Sequence, residues 1–194
     1  MIALYISDTQ ISLAHYSRVH SSPLLVNITA VDLQGSLVED LSREELAVNH
    51  LINGIQEAND KVFITGNEIL ISLTDALVYH EAFQTEQDMS DADIITLVKW
   101  KKDKRWGPTE EKFQVFIELY NDRRQGHIIY VHDFLIKAIK KILQTFSGSP
   151  VWLGTESMVL SALGKLPIMT IKLIGPNYDV FHMDRDNING GTVT

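Results

Sequence analysis

The chain has 194 residues, 45% hydrophobic and 22% charged, with a formal net charge of −8 and no cysteine. That length and apolar content suit one domain or two small lobes around a substantial core, and exclude a wholly disordered chain. The acidic balance argues against nucleic acid as the main partner, because phosphate binding draws on clustered Lys and Arg, although acidity also serves solubility. Without cysteine there are no disulfides, thiolate nucleophiles or Cys-type zinc sites.

The N-terminus has no basic segment followed by a long apolar stretch, so no secretory signal is expected. No run approaches the roughly 20 apolar residues of a spanning helix. The expected location is cytoplasmic, with any membrane attachment peripheral or through a partner.

Ile2 to Tyr16 reads as a hairpin: an apolar run, a polar turn at Ser7-Asp-Thr-Gln10, and a returning strand. Pro23 to Val31 is a third strand. A helix is predicted over Asp40 to Ala58, with Ser42 and Glu45 as a capping box and Leu46, Leu51, Ile52 and Ile55 on one face; Asn59-Asp60 is expected to end it. Short strands follow at Lys61 to Thr65 and Glu68 to Leu73, around a turn at Gly66-Asn67, then another from Ala76 to Phe83 in which His80 and Glu81 read as a solvated edge.

Ser90 is predicted to cap a helix from Asp91 to Arg105, which Gly107-Pro108 stops. Its end, Lys99 to Trp106, interleaves basic residues with Trp100 and Trp106. Basic residues complement the dipole of a helix C-terminus, which explains much of the cluster; a membrane-surface or nucleic-acid patch is the alternative. Phe113 to Tyr120 alternates as a half-buried strand, and Phe113, Val115 and Ile117 mark an edge able to accept another chain. His127 to Val131 is the next strand. A helix from Phe134 to Phe146, capped by Asp133, carries Leu135, Ile136, Ile139, Ile142 and Leu143 on one face and three lysines on the other. Val151 to Leu153 reads as a strand, Thr155 to Leu163 as a helix, and Ile168 to Ile174 with Tyr178 to Met183 as a closing hairpin. The tail from Asp184 to Thr194 is polar and a poor candidate for core.

No P-loop, Gly-x-Ser-x-Gly elbow or His-Glu-x-x-His pair occurs. His127 and His132 flank a strand without the helical spacing that aims two imidazoles at one metal, and read as solvated strand ends. Asp184 and Asp186 need no cation to explain them, and Glu39-Asp40 and Glu110-Glu111 read as solvated charge near element starts. No metal site is expected.

The order of elements resembles the first half of actin-like proteins of the PilM type, which assemble type IV pili, with relatives in the MSHA pilus system and in the GspL cytoplasmic domain of type II secretion. Ile2 to Tyr16, Glu68 to His80 and the passage from His127 to Gly164, including Glu156-Ser-Met-Val-Leu-Ser-Ala-Leu163, carry the resemblance. It implies an α/β fold with a mixed α+β sheet: a ribonuclease H-like, actin-type lobe over 1–83 and 127–165, a small inserted α+β subdomain over 84–126, and a closing hairpin over 166–194. That hairpin and the glycines of Ile188 to Thr194 are similar to the start of the family's second half. The expectation is therefore an excised N-terminal fragment or a naturally shortened member.

In actin-like ATPases the first turn carries an Asp on strand one, a Gly in the turn and often a Lys on strand two, which organise metal and phosphate. Tyr5, Ser7 and Ser12 stand at those positions here. Ser7, Asp8, Thr9 and Gln10 are thus the remnant of a phosphate turn, and Asp8 and Thr9 replace the lost groups only after a register shift. The resemblance implies a non-catalytic scaffold without cofactor, bound to the cytoplasmic segment of an inner-membrane assembly protein. The groove where the insertion meets the main sheet is, in this family, the region that takes such a peptide. The alternative is a divergent ATPase or sugar-kinase-like enzyme using ATP and magnesium.

Overall fold

The computed structural model describes residues 1–19, 22–85, 89–107, 112–120, 125–156, 168–174, 177–183 and 188–193. Two compact units divide the chain, Met1–Leu153 and Gly154–Thr194. The first unit opens with β1 (Ile2–Ile6), β2 (Gln10–Val19) and β3 (Ser22–Asp32), followed by α1 (Leu37–Asp40), α2 (Glu44–Lys61) and β4 (Glu68–Leu73). After a 3-10 turn at Asp75–Leu77 come β5 (Val78–Gln84), α3 (Asp91–Trp106), β6 (Phe113–Tyr120), β7 (Gln125–His132), α4 (Asp133–Thr145) and β8 (Ser149–Thr155). In the second unit β9 (Ile168–Ile174), β10 (Asn177–Met183) and β11 (Ile188–Val193) form an antiparallel meander.

The main sheet has the order β3-β2-β1-β4-β8, with β1 antiparallel to β2 and parallel to β4. Alternation decides its faces: Ile2, Leu4 and Ile6 of β1 are buried, as are Ile69, Ile71 and Leu73 of β4, with half-buried residues between them. α2 packs on β2, β3 and α4. It buries Ala47, Leu51, Ile55 and Ala58, and α4 buries Leu135, Ile136, Ala138, Ile139, Ile142 and Leu143. At about 1.5–3 kcal/mol for each large apolar side chain removed from water, these two helical faces are a main source of the lobe's stability. The helix-to-strand passage after α4 is tight: Ser147 adopts φ 53°, the Gly148 amide donates to the Leu143 carbonyl at 3.0 Å, and a Cβ on Gly148 would lie 2.5 Å from Ile69 Cδ1.

The second sheet, β5-β7-β6, is antiparallel and carries α3 on one face. Phe83, Ile94, Val98, Ile128 and Tyr130 form a satellite core there. Ser90 and Asp93 make a reciprocal capping box at the start of α3, and Gly107, at φ 80°, ends it.

Several expected elements are corrected. α2 begins at Glu44, not Asp40, and the Ser42–Glu45 capping box is absent, because Asp40 closes the separate short α1 and Arg43 takes the N-cap position without a side-chain bond. α2 runs through Asn59-Asp60 to Lys61. Asn59 is buried, and its side-chain oxygen accepts from the Ile64 amide at 2.9 Å, so it anchors the exit chain while remaining helical. Lys61 to Thr65 is not a strand. His132, not Asp133, is the N-cap of α4. The polar tail supplies β11, whose backbone pairs with β10. The helix expected from Thr155 to Leu163 lies mostly outside the described residues.

Candidate functional site

The turn between β1 and β2 is closed by its own hydrogen bonds. The Ser7 amide donates to the Gln10 carbonyl at 2.9 Å, Ser7 Oγ donates to the same carbonyl at 3.0 Å, and the Gln10 amide donates to Ser7 Oγ at 2.9 Å. Beyond the turn, the Leu33 and Leu37 amides donate to the Thr9 and Asp8 carbonyls. The Asp8 carboxylate accepts from Ser36 Oγ at 2.7 Å and from the Val38 amide at 2.8 Å. Asp8 thus ties the turn to the start of α1, and its charge takes one hydroxyl and one backbone donor of the kind that a bound anion would seek. Tyr5 and Ser12 are paired directly across the hairpin.

At its other end α1 leads into a groove of about 460 Å³ lined by Leu41, Ser42, Glu44, Lys112, His132, Asp133, Phe134 and Lys137. Three separate stretches meet there: the α1–α2 junction, the start of β6, and the passage from β7 into α4. Asp133 fixes the wall, since its carboxylate accepts from Gln114 Nε2 at 2.8 Å and from Lys137 Nζ at 2.6 Å, and its amide donates to the Lys112 carbonyl at 2.9 Å. Burial alone would raise the Asp133 pKa, but the bonds from Lys137 and Gln114 and the charges of Lys137 and Lys140 outweigh it and hold the group below its ordinary value. The His132 ring packs 4.6 Å from Phe113 and 5.3 Å from Phe134. Its pKa is lowered by burial and by Lys112, partly opposed by Glu44. The groove therefore offers an aromatic wall, a neutral imidazole at neutral pH, and charges of both signs at the rim. Such a lining suits an extended polar-and-apolar segment better than a polyanion.

The expected interaction residues divide between core and surface. Trp106 is packed in an aromatic cluster, with ring centroids 4.6 Å from Tyr130, 4.8 Å from Phe113 and 5.6 Å from Tyr79. Phe113 and Val115 pack against the satellite core, whereas Ile117, farther along this edge strand, is 36% exposed. Trp100 is 55% exposed, with Lys104 Nζ 4.9 Å from its ring centroid. The Tyr130 phenol is pushed up to about 12, first by burial and then by the Glu81 carboxylate.

Two expectations about polar strand residues are corrected. His127 is buried, not a solvated strand end, and burial followed by the nearby His80 lowers its pKa to about 4. His80 and Glu81 are engaged: His80 Nε2 lies 3.1 Å from Asp75 Oδ1, and Glu81 is ion-paired with Lys101. Among the described residues no group of three or more His, Asp or Glu side chains is arranged to hold a metal ion, and no helix is long and apolar enough to cross a membrane.

No protein-family model and no curated protein matches the sequence. Solved structures do match. The whole chain aligns with 61% of a chain in the "PilM-PilN type IV pilus biogenesis complex", with a TM-score of 0.62 and 12% identity. A Bacteroides thetaiotaomicron protein described as having an actin-like ATPase fold and unknown function aligns with 99% of this chain and 68% of its own, with a TM-score of 0.54 and 9% identity. The fold is actin-like. The cytoplasmic domain of EpsL, an inner membrane component of the type II secretion system of Vibrio cholerae, shares it, at a TM-score of 0.57 and 9% identity over 99% of this chain and 70% of that domain. This actin-like chain thus spans under two thirds of the PilM–PilN complex chain that it matches.

Within the actin-like fold, sequence reading gives the first turn by its residues, and expects a groove where the insertion meets the main sheet without naming residues for it. Ser42, His132 and Asp133 were visible only as expected cap and strand-end residues. Glu44, Lys112, Phe134 and Lys137 carry no motif, because they come together from positions up to 93 residues apart in the chain.

Proposed function

We propose that this chain is a non-catalytic scaffold of a pilus-assembly or type II secretion machine, and that its groove binds a cytoplasmic segment of a membrane-anchored partner. The observation that carries the reading is the pairing of a self-closed first turn with an open groove in a fold shared with PilM and the EpsL cytoplasmic domain. A polypeptide threaded past Phe134 and His132 would find apolar contact on the rings and hydrogen-bonding groups from Ser42 and Glu44. The scaffold works on the cytoplasmic side, at the membrane through its partner, and needs no nucleotide.

Peptides covering the N-terminal cytoplasmic segments of PilN-type proteins, titrated against the protein by calorimetry, test the reading. Binding in the micromolar range is expected, weakened about tenfold or more by Phe134→Asp, whose side chain is half-buried at the groove wall. Absence of binding by every such segment, or affinity unchanged in the folded variant, would contradict it.

A further inference from the structure

The outer face of α3 combines exposed apolar side chains with a concentration of positive charge. Lys99 to Trp106 holds five basic residues and one acidic one in a chain of net charge −8. Lys101 is ion-paired with Glu81, and the Arg105 guanidinium lies 5.0 Å from the Trp106 ring centroid and 5.9 Å from that of Tyr79. Those two cations, with Trp106, belong to the packing of α3 on the second sheet. Lys99, Lys102 and Lys104 form no ion pair with a carboxylate among the described residues, and Lys99 and Lys104 are exposed. Ile95, 60% exposed, lies one turn before Lys99, and Trp100, 55% exposed, follows it directly.

We propose that this face of α3 docks on an anionic bilayer surface. Charge complementarity selects the occupant: the lysines meet acidic headgroups, while the Trp100 indole and the Ile95 side chain have the amphipathic and apolar character that settles at the headgroup boundary. The acidic first turn of α3, at Asp91 and Asp93, turns the basic end toward the surface. Single-stranded nucleic acid is the poorer fit, since one exposed tryptophan is not a row of stacking platforms. The patch is separate from the groove, so a failure of peptide binding there leaves this proposal standing, and the reverse holds as well.

Flotation of the full chain with phosphatidylcholine vesicles, and with vesicles containing one-third phosphatidylglycerol, provides the test, with a single-stranded oligonucleotide as a parallel probe. Binding to the anionic vesicles alone is expected, weakening as salt rises. Each lysine near an anionic surface contributes about fivefold to partitioning, so Lys99→Gln with Lys104→Gln should cut it on the order of 20-fold. Trp100→Ala should lower it separately, with circular dichroism unchanged in both variants because all three positions are exposed. No flotation of the unaltered chain, undiminished flotation of the folded variants, or preference for the oligonucleotide over the vesicles would overturn the proposal.

Discussion

His127 on β7 is 7% exposed, with its ring centroid 6.3 Å from that of His80 on β5. Its folded pKa of about 4, against an ordinary 6.5, means that it stays neutral in the native lobe while the unfolded chain takes up a proton as pH falls through 6.5. The stability tied to this site is therefore complete above pH 6.5 and is lost as pH falls to about 4, by about 2–3 kcal/mol in all. His132, whose pKa is also lowered, adds to the loss in the same direction. His127→Gln should flatten the acid limb of stability, which denaturant titrations at pH 7, 5.5 and 4.5 would reveal. An identical pH dependence in the variant would show that His127 is not buried in neutral form.

At the scale of elements, the first turn is tied by hydrogen bonds to the start of α1. Asp8 contributes two charge-assisted hydrogen bonds to that junction, one part-buried and one exposed. Asp8→Ala should cost about 1–3 kcal/mol in denaturant stability and should not create nucleotide affinity, since neither glycine nor lysine is restored. Equal stability would mean that the tie is solvated and replaceable. The same region shows what a sequence can and cannot reveal. Approximate alternation over Phe113 to Tyr120 and the apolar face of α4 are local patterns, and both elements lie where alternation and periodicity put them. Ser90 also signals its helix correctly, with Asp93 completing the box. Ser42 and Glu45 carry an equally good local signal. It does not form, because Asp8 and Ser36 have already started a short helix upstream and the chain must turn at Leu41 before α2 begins. β11 was illegible for a different reason: a glycine-containing strand with little side-chain signal is specified by backbone pairing to β10. The groove is the extreme case, since nothing local to Glu44, Lys112 or Phe134 announces that they line one wall.

For the molecule as a whole, two sites lie at the ends of α1 in the first unit. One is the turn, occupied by the chain's own hydrogen bonds; the other is a groove with an aromatic wall. The actin-like lobe is thereby a frame in which α2 packs on the main sheet and on α4, and a second sheet carries α3. On the proposed reading, the frame has kept its shape while the chemistry of its first turn has been replaced by structural bonds. Calorimetric titration of the chain with ATP and magnesium, run beside a phosphate-release assay, tests this most directly. The account predicts no saturable heat at millimolar nucleotide and no phosphate release above the buffer rate. Tight binding accompanied by hydrolysis, both lost in Asp8→Ala, would contradict it and would make the first turn a working phosphate site.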